Sequence, residues 1–204
     1  LLVYSPPCQA FSVGGNRQGF KDKRGVLFFY ALEVIKVKQP KLCIMENVKG
    51  LTFKNMQYEF DTILESLEKA GYNNYWKVLN AKDYGIPQNR ERLFIVSIRK
   101  NIDTKSFKFI DKNCSYFKNK EKTIDDILEA TVSTKYNLSE KATRRINERL
   151  GNKEGKIYNW YNDVIIKEEF KTLTTNCGSW GARTGQIVIN SKNNYRRLTP
   201  IECW

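Results

Sequence analysis

Three short stretches of the sequence carry side chains that could do chemistry together. Cys8 lies in SPPCQAFS behind two prolines, Glu46 lies in MENV, and Arg90 and Arg92 lie in QNRER. A cysteine thiolate is a strong nucleophile that nearby cations stabilise, and a carboxyl group can act as a general acid. The chain has no histidine, so chemistry at Cys8 must find its proton partner in glutamate, arginine or water.

Taken singly, each of these residues also has an ordinary structural interpretation. A lone cysteine at a strand end is more often a buried thiol than a nucleophile. A lone glutamate there is more often a helix cap or an ion-pair partner, and arginines in a charged turn are usually surface charge.

The elements around these residues alternate between strands and helices. The apolar patterns predict strands over residues 1–4, 41–47, 76–81 and 92–99, the first of them buried, and helices over 26–38 and 57–70. This alternation predicts an α/β sheet, in which functional side chains lie at the carboxyl ends of the strands. Cys8 and Glu46 both fall at such ends, so we expect them to work together.

The character of the chain changes near residue 100, where Lys, Asn and Thr begin to dominate. A helix with Ser139 as N-cap and Leu150 on its apolar face is the clearest element there. Thr199, Pro200 and Glu202 predict the start of another helix through a capping box. We therefore predict a partial catalytic domain over 1–100, a small, mostly irregular or β domain over 101–190, and a return segment over 191–204.

The composition narrows the class of protein. Lys and Arg number 35 against 22 Asp and Glu, a net charge of +13 that favours a polyanionic partner such as nucleic acid, although a solvated lysine-rich surface would have the same composition. The five cysteines form no CxxC pair, which argues against a zinc site or a disulfide scaffold and predicts a cytoplasmic location with no metal. No apolar run approaches the roughly 20 residues of a membrane span.

In their order and spacing these stretches resemble the DNA (cytosine-5) methyltransferases. PPCQAFS resembles the nucleophile loop of that family, MENVKG its glutamate block and LNAKDYGIPQNRERLFIV its arginine block, while DKRGVLFF and RRLTPIEC resemble two further blocks. The matches cover residues 1–99 and resume at 195–204. The resemblance implies part of a Rossmann-like, S-adenosylmethionine-dependent methyltransferase sheet, with the unmatched middle as a target-recognition domain.

The family mechanism assigns roles to the candidate residues. Cys8 would add to carbon 6 of a flipped cytosine, so that carbon 5 can take the methyl group of S-adenosylmethionine. Glu46 would act on ring nitrogen 3, Arg92 on the carbonyl at position 2, and Arg90, counted with the catalytic residues, would support the loop or a phosphate. The expected contacts to the base or the DNA are Pro7, Gln9, Ser12, Arg17, Gln18, Asn47, Gln88, Trp180, Arg183 and Thr184.

The cofactor and the partners follow from the same resemblance. Pro7, Leu27 and Asn80 are the candidates for cofactor contacts, and Arg144, Arg145 and Arg149 either track DNA phosphates or form the solvated face of their helix. The glycine-rich cofactor turn of the family would precede Leu1, so we expect a truncated chain with an exposed sheet edge that is inactive alone. The missing half would come in cis or from a second chain.

Double-stranded DNA is the expected substrate, and a cognate restriction endonuclease is the expected functional partner. Two alternatives remain open at the level of sequence. The same chemistry could act on cytosine in tRNA, because PPCQ also occurs in the tRNA-directed branch of the family. The chain could also be a split or inactive module that only binds DNA.

Overall fold

The computed structural model describes residues 1–7, 27–118, 122–151, 154–155, 157–159, 164–166, 169–173, 186–191 and 194–203. The fold is mixed α/β with several sheets. The chain forms two compact units, one of Leu1–Asn80 with Glu91–Asp111 and one of Ala81–Arg90 with Lys112–Trp204. The domain boundaries expected near residues 100 and 190 stay predictions.

The described elements are listed here in chain order. The strands are β1 (Leu2–Tyr4), β2 (Leu42–Val48), β3 (Tyr72–Asn80), β4 (Gln88–Asn89), β5 (Glu91–Arg99), β6 (Ile157–Asn159), β7 (Val164–Ile166), β8 (Phe170–Lys171), β9 (Gln186–Ser191) and β10 (Asn194–Arg197). The helices are α1 (Leu27–Lys38), α2 (Gln57–Lys69), α3 (Ser115–Lys118), α4 (Glu140–Leu150) and α5 (Pro200–Cys203). None of the helices in these ranges is long and apolar enough to cross a membrane.

The first unit is built on a four-stranded sheet in the order β1-β2-β5-β3. β1 pairs in parallel with β2, whereas β5 runs antiparallel to both β2 and β3. Because of this, β1, β2 and β3 point the same way and their carboxyl ends meet at one edge of the sheet. β5 starts at that edge, where Val48 pairs with Arg92 and Asn80 with Glu91.

The core of the first unit lies on one face of this sheet. Met45, Leu93 and Ile95 alternate onto that face and are buried beneath the helices. Ile35 of α1 and Ile63 of α2 are fully buried against them, as the helical spacing of apolar residues predicts. These contacts fix the strands whose ends carry the candidate residues.

Two expectations about the strands need correction. The prediction of a buried strand over residues 1–4 is wrong for one face: Leu1 is 78% and Val3 63% exposed, because only the alternate residues Leu2 and Tyr4 pack against the core beneath α1 and α2. Among the described strands β1 pairs on one side only, with β2. β3 begins at Tyr72 instead of residue 76, since the polar residues after Gly71 pair with β5 along its full length.

The second unit, expected to be mostly irregular or β, contains two sheets. β10, β9, β6 and β7 form a four-stranded antiparallel sheet, and β4 pairs in parallel with β8. Ile146 and Leu150 of α4 pack on Tyr158 and Ile187 of this sheet. The predicted helix starts are confirmed: Ser139 Oγ accepts from the N–H of Ala142 at 3.4 Å, and Thr199 and Glu202 exchange the two bonds of a capping box.

Candidate active site

Strand register brings three polar side chains together at the carboxyl edge of the first sheet. The parallel pairing of β1 with β2 aligns Tyr4 with Met45, so Ser5 continues that register beside Glu46. Arg92 pairs with Val48, two residues beyond Glu46, and therefore lies diagonally across from Glu46 on the same face. Diagonal neighbours on adjacent strands are within reach of long side chains.

The carboxylate of Glu46 accepts a donor on each oxygen. Ser5 Oγ donates to Oε2 at 2.6 Å, and Arg92 Nε approaches Oε1 at 2.9 Å. Arg92 is itself fixed by a bond from Nη1 to the carbonyl oxygen of Glu91 at 2.8 Å. The side chains of Arg92 and Glu46 are 19% and 29% exposed, so the pair is oriented by protein contacts and still open to a ligand.

Asn47 fixes the backbone just before the candidate nucleophile. Its side chain is buried, donates from Nδ2 to the carbonyl oxygen of Pro6 at 3.3 Å and accepts at Oδ1 from the N–H of Val48 at 2.8 Å. The end of β2 thus holds the Pro6–Pro7 backbone that leads into Cys8. Asn47 was expected to shape the pocket, and this contact is how the structure places it.

An ion pair borders this group on the side of β5. Lys49 Nζ lies 2.8 and 3.0 Å from the two carboxylate oxygens of Glu91. Both side chains are more than two-fifths exposed, so the pair adds little to stability.

Gln88 and Arg90 are placed in the second unit. Gln88 Oε1 accepts from the N–H of Leu173 at 3.4 Å, and Arg90 Nη1 donates to the carbonyl oxygen of Leu173 at 3.2 Å. The sequence predicted Gln88 as a contact to the base or the DNA and counted Arg90 with the catalytic residues. In the structure both residues bond to Leu173, a partner that the sequence did not predict.

The other predicted residues divide into exposed positions and positions outside the described residues. Pro7 and Leu27 are exposed and Asn80 is half-buried, while Arg144, Arg145 and Arg149 lie on the exposed side of α4. The candidate residues that lie outside the described residues are Cys8, Gln9, Ser12, Arg17, Gln18, Trp180, Arg183 and Thr184.

Ser5 is the site residue that sequence reasoning missed. Its only signal was a hydroxyl residue between the apolar end of β1 and the two prolines. That signal becomes specific only when the parallel register places Ser5 beside Glu46.

The chain is similar to known proteins over its whole length. The family model described as C-5 cytosine-specific DNA methylase matches residues 1–204. Type II methyltransferase M1.ScrFI of Lactococcus lactis subsp. cremoris is 39% identical over 99% of this chain and 51% of its own length. Type II methyltransferase M.Bsp6I of Bacillus sp. (strain RFL6) is 35% identical over 100% of this chain and 65% of its own. The chain thus spans about half of the first relative and 65% of the second.

Two solved structures resemble the chain in three dimensions. The methyltransferase EhMeth of Entamoeba histolytica superposes with a TM-score of 0.58 at 20% identity, over 98% of this chain and 62% of its own, which indicates a shared fold alone. A variant of the DNMT2 of Spodoptera frugiperda gives 0.51 at 25% identity, over 71% and 44%.

Proposed function

The chain belongs to the C-5 cytosine-specific DNA methylase family, and from this membership we propose that the protein methylates carbon 5 of cytosine in double-stranded DNA. The observation that carries the proposal is the Ser5–Glu46–Arg92 group at the carboxyl edge of the sheet. It offers a carboxyl group from β2 and a guanidinium from β5 next to Ser5, which follows the strand that leads to Cys8. With a thiolate, these are the groups that addition to a cytosine ring requires.

Cys8 is the proposed nucleophile. Its thiolate adds to carbon 6 of an extruded cytosine, forming a carbon–sulfur bond and moving an electron pair onto the ring, so that carbon 5 can form a bond to a methyl group. Loss of the carbon 5 proton, to water in our proposal, then expels the thiolate and restores the ring. Flipping the base out of the duplex costs a few kcal/mol of stacking. The Asn47–Pro6 bond supports this role because it fixes the backbone on the approach to Cys8.

Glu46 is the proposed general acid at ring nitrogen 3: in its protonated form, or by sharing one proton with that nitrogen, it offsets the negative charge that accumulates during the addition. Both of its oxygens are already engaged, so one bond must open for the base to bind. The Ser5 bond is the one expected to open, because a hydroxyl rotates freely whereas Arg92 is also held by the Glu91 carbonyl. An arginine has five N–H donors, and Arg92 can therefore keep Glu46 while donating to the cytosine carbonyl.

Pro7, Leu27 and Asn80 are the proposed cofactor contacts in this chain. When bound, S-adenosylmethionine would supply the electrophilic methyl group, whose bond to the sulfonium sulfur breaks to leave S-adenosylhomocysteine. The exposed Pro7 and Leu27 offer apolar surface for a flat ring, and Asn80 offers an amide at the same edge of the sheet as Pro7. These side chains fit part of the cofactor, while its hydroxyl groups call for carboxylate acceptors, which the three do not include.

We propose that a further segment, in this chain or in a second one, pairs with β1, completes a Rossmann-like sheet and supplies those acceptors. The position of β1 supports this, because among the described strands it is the last of its sheet, and such an edge is a template for pairing with a further strand. The type II relatives support a role beside a restriction endonuclease. A DNA substrate and the free Cys43, Cys114 and Cys203 fit the cytoplasm.

Expression of the full-length protein in a bacterial host without cytosine methylation tests the proposal. Bisulfite sequencing of plasmid DNA should show methylated cytosines in a defined sequence for the wild type and none for Cys8→Ser. Glu46→Gln should lower methylation strongly, whereas Glu33→Gln, the same change at an exposed residue of α1, should leave it unchanged. Bisulfite sequencing of tRNA from the same cells provides the contrast, because methylation confined to tRNA would overturn the DNA assignment.

A further inference from the structure

The two-residue strand β4 pairs with residues of the 169–173 segment, which precedes residues 174–185. β4 pairs in parallel with β8, with Gln88 opposite Phe170 and Asn89 opposite Lys171. The N–H of Phe170 donates to the carbonyl oxygen of Pro87 at 2.7 Å, and Thr172 Oγ1 donates to that of Asn89 at 2.9 Å. The backbone of residues 87–89 thus follows the segment from Phe170 to Thr172.

Side chains in and next to β4 also bind Leu173, the last residue of the 169–173 segment. Gln88 accepts a hydrogen bond from the N–H of Leu173, and Arg90 donates one to the carbonyl oxygen of Leu173. Both polar backbone groups of Leu173 are therefore bound by residues two positions apart. Lys82 Nζ lies 3.1 Å from the carboxylate of Glu169 at the other end of the segment. Phe170 between them is 1% exposed.

A buried glutamine fixes the same segment from the other side. Gln186 is fully buried, donates from Nε2 to the carbonyl oxygen of Lys171 at 3.0 Å and accepts at Oε1 from its N–H at 2.8 Å. Gln186 begins β9, directly after residues 174–185. Leu173 precedes residues 174–185 and Gln186 follows them. Gln186 is bound to Lys171, and Leu173 is bound to Gln88 and Arg90, so both flanking residues are fixed through the 169–173 segment.

We infer that Gln88 and Arg90 are positioning residues for sequence discrimination, which hold the 169–173 segment in place for DNA recognition by the second unit. The inference rests on the proposed function. The two arginines of the arginine block then have different tasks, because Arg90 bonds to Leu173 whereas Arg92 bonds to Glu46. Arg90 and Arg92 would then serve recognition and chemistry from positions two residues apart in the chain.

The size of the effect follows from the bonds that each substitution removes. Arg90→Ala removes a charged donor and Gln88→Leu removes an acceptor, and a hydrogen bond to a charged group is worth more than a neutral one. We expect discrimination against a site with one altered base pair to fall on the order of tenfold for Arg90→Ala and about threefold for Gln88→Leu. Arg90→Lys and Gln88→Glu keep the donor and the acceptor, so both should retain most of the discrimination.

The test uses the full-length protein and two duplexes, the site identified by bisulfite sequencing and the same site with one base pair changed. kcat and KM are measured for methyl transfer to each duplex. The inference predicts that the ratio of kcat/KM values falls for Arg90→Ala and Gln88→Leu and is rescued by Arg90→Lys and Gln88→Glu. The fall in kcat for Arg90→Ala should be smaller than that for Arg92→Ala. If Arg90→Ala does not fold, the ratio of kcat/KM values for Gln88→Leu alone tests the inference.

Two results would overturn the inference. The first is a wild-type ratio in both Arg90→Ala and Gln88→Leu, and the second is a loss of kcat in Arg90→Ala as large as in Arg92→Ala with the ratio unchanged. Failure of the proposed function looks different, because the wild-type protein itself would then methylate neither duplex.

Discussion

Replacement of Glu202 by glutamine should destabilise the protein by about 3–5 kcal/mol, the usual cost of removing one member of a buried ion pair. The side chains of Arg196 and Glu202 are 3% and 0% exposed and meet through two bonds of 2.7 Å. Glu202 also accepts from the N–H groups of Thr199 at 2.8 Å and Glu129 at 2.9 Å. A glutamine has the same shape, but its NH₂ group must face one of these donors, and Arg196 keeps a buried charge without a counterion.

The assay is urea denaturation of the full-length protein, with Glu148→Gln as the matched control. Glu148 faces Arg144 at 3.9 Å on the exposed side of α4, so its replacement should change the free energy of unfolding by less than about 0.5 kcal/mol. A loss of under about 1 kcal/mol for Glu202→Gln would refute the reasoning, because it would mean that the pair contributes no more than a surface pair.

The pH dependence of the same variant supplies a second check. Burial raises the pKa of Glu202, but the bonds from Arg196 and the N–H groups of Thr199 and Glu129 outweigh it, so the pKa lies below its usual value. A lowered pKa means that the pair stabilises the protein at neutral pH and that this contribution is lost as the pH falls through the folded-state pKa. The difference in stability between wild type and Glu202→Gln should therefore shrink in acid.

Three further substitutions test the candidate site and its support. Because the bond from Ser5 to Glu46 opens when the base binds, Ser5→Ala should leave kcat for methyl transfer within about threefold of wild type, as should Ser5→Thr, which keeps the hydroxyl; a larger loss in Ser5→Ala alone would mean that the bond persists in the reacting complex. Asn47→Leu should cost about 1–3 kcal/mol in urea denaturation, because the buried carbonyl of Pro6 loses its donor, and an unchanged midpoint would contradict this. Lys49→Met should change stability by under about 1 kcal/mol by the same assay, since its pair with Glu91 is exposed, and a larger loss would show that the pair supports β5.

Much of the first unit could be predicted from the sequence because its elements are local and strongly patterned. The spacing of Phe60, Ile63 and Leu67 predicts α2, and Gly71, with a φ of +98°, ends it as expected. The start of β3 was missed because Asn73 and Asn74 have low strand propensity. Their side chains find partners in the fold, with Asn74 bound to Ser97 and to the carbonyl of Leu64.

The second unit could be predicted only in part, because its contacts join residues far apart in the chain. β6, β7 and β8 are only two or three residues long, so no periodicity identifies them. The candidate site shows the same division. Glu46 and Arg92 could be found from short motifs, but the contact of Gln88 and Arg90 with Leu173 joins residues more than eighty positions apart, and no local pattern encodes it.

Covalent capture of the target base tests the central claim most directly. The full-length protein is incubated with S-adenosylmethionine and a duplex that carries 5-fluorocytosine at the methylated position, because fluorine on carbon 5 cannot leave as a proton does and the adduct persists. Our account predicts a stable protein–DNA adduct whose mass maps to the peptide that contains Cys8, and no adduct with Cys8→Ser. An adduct on another residue, or methyl transfer by Cys8→Ser at the wild-type rate, would contradict it.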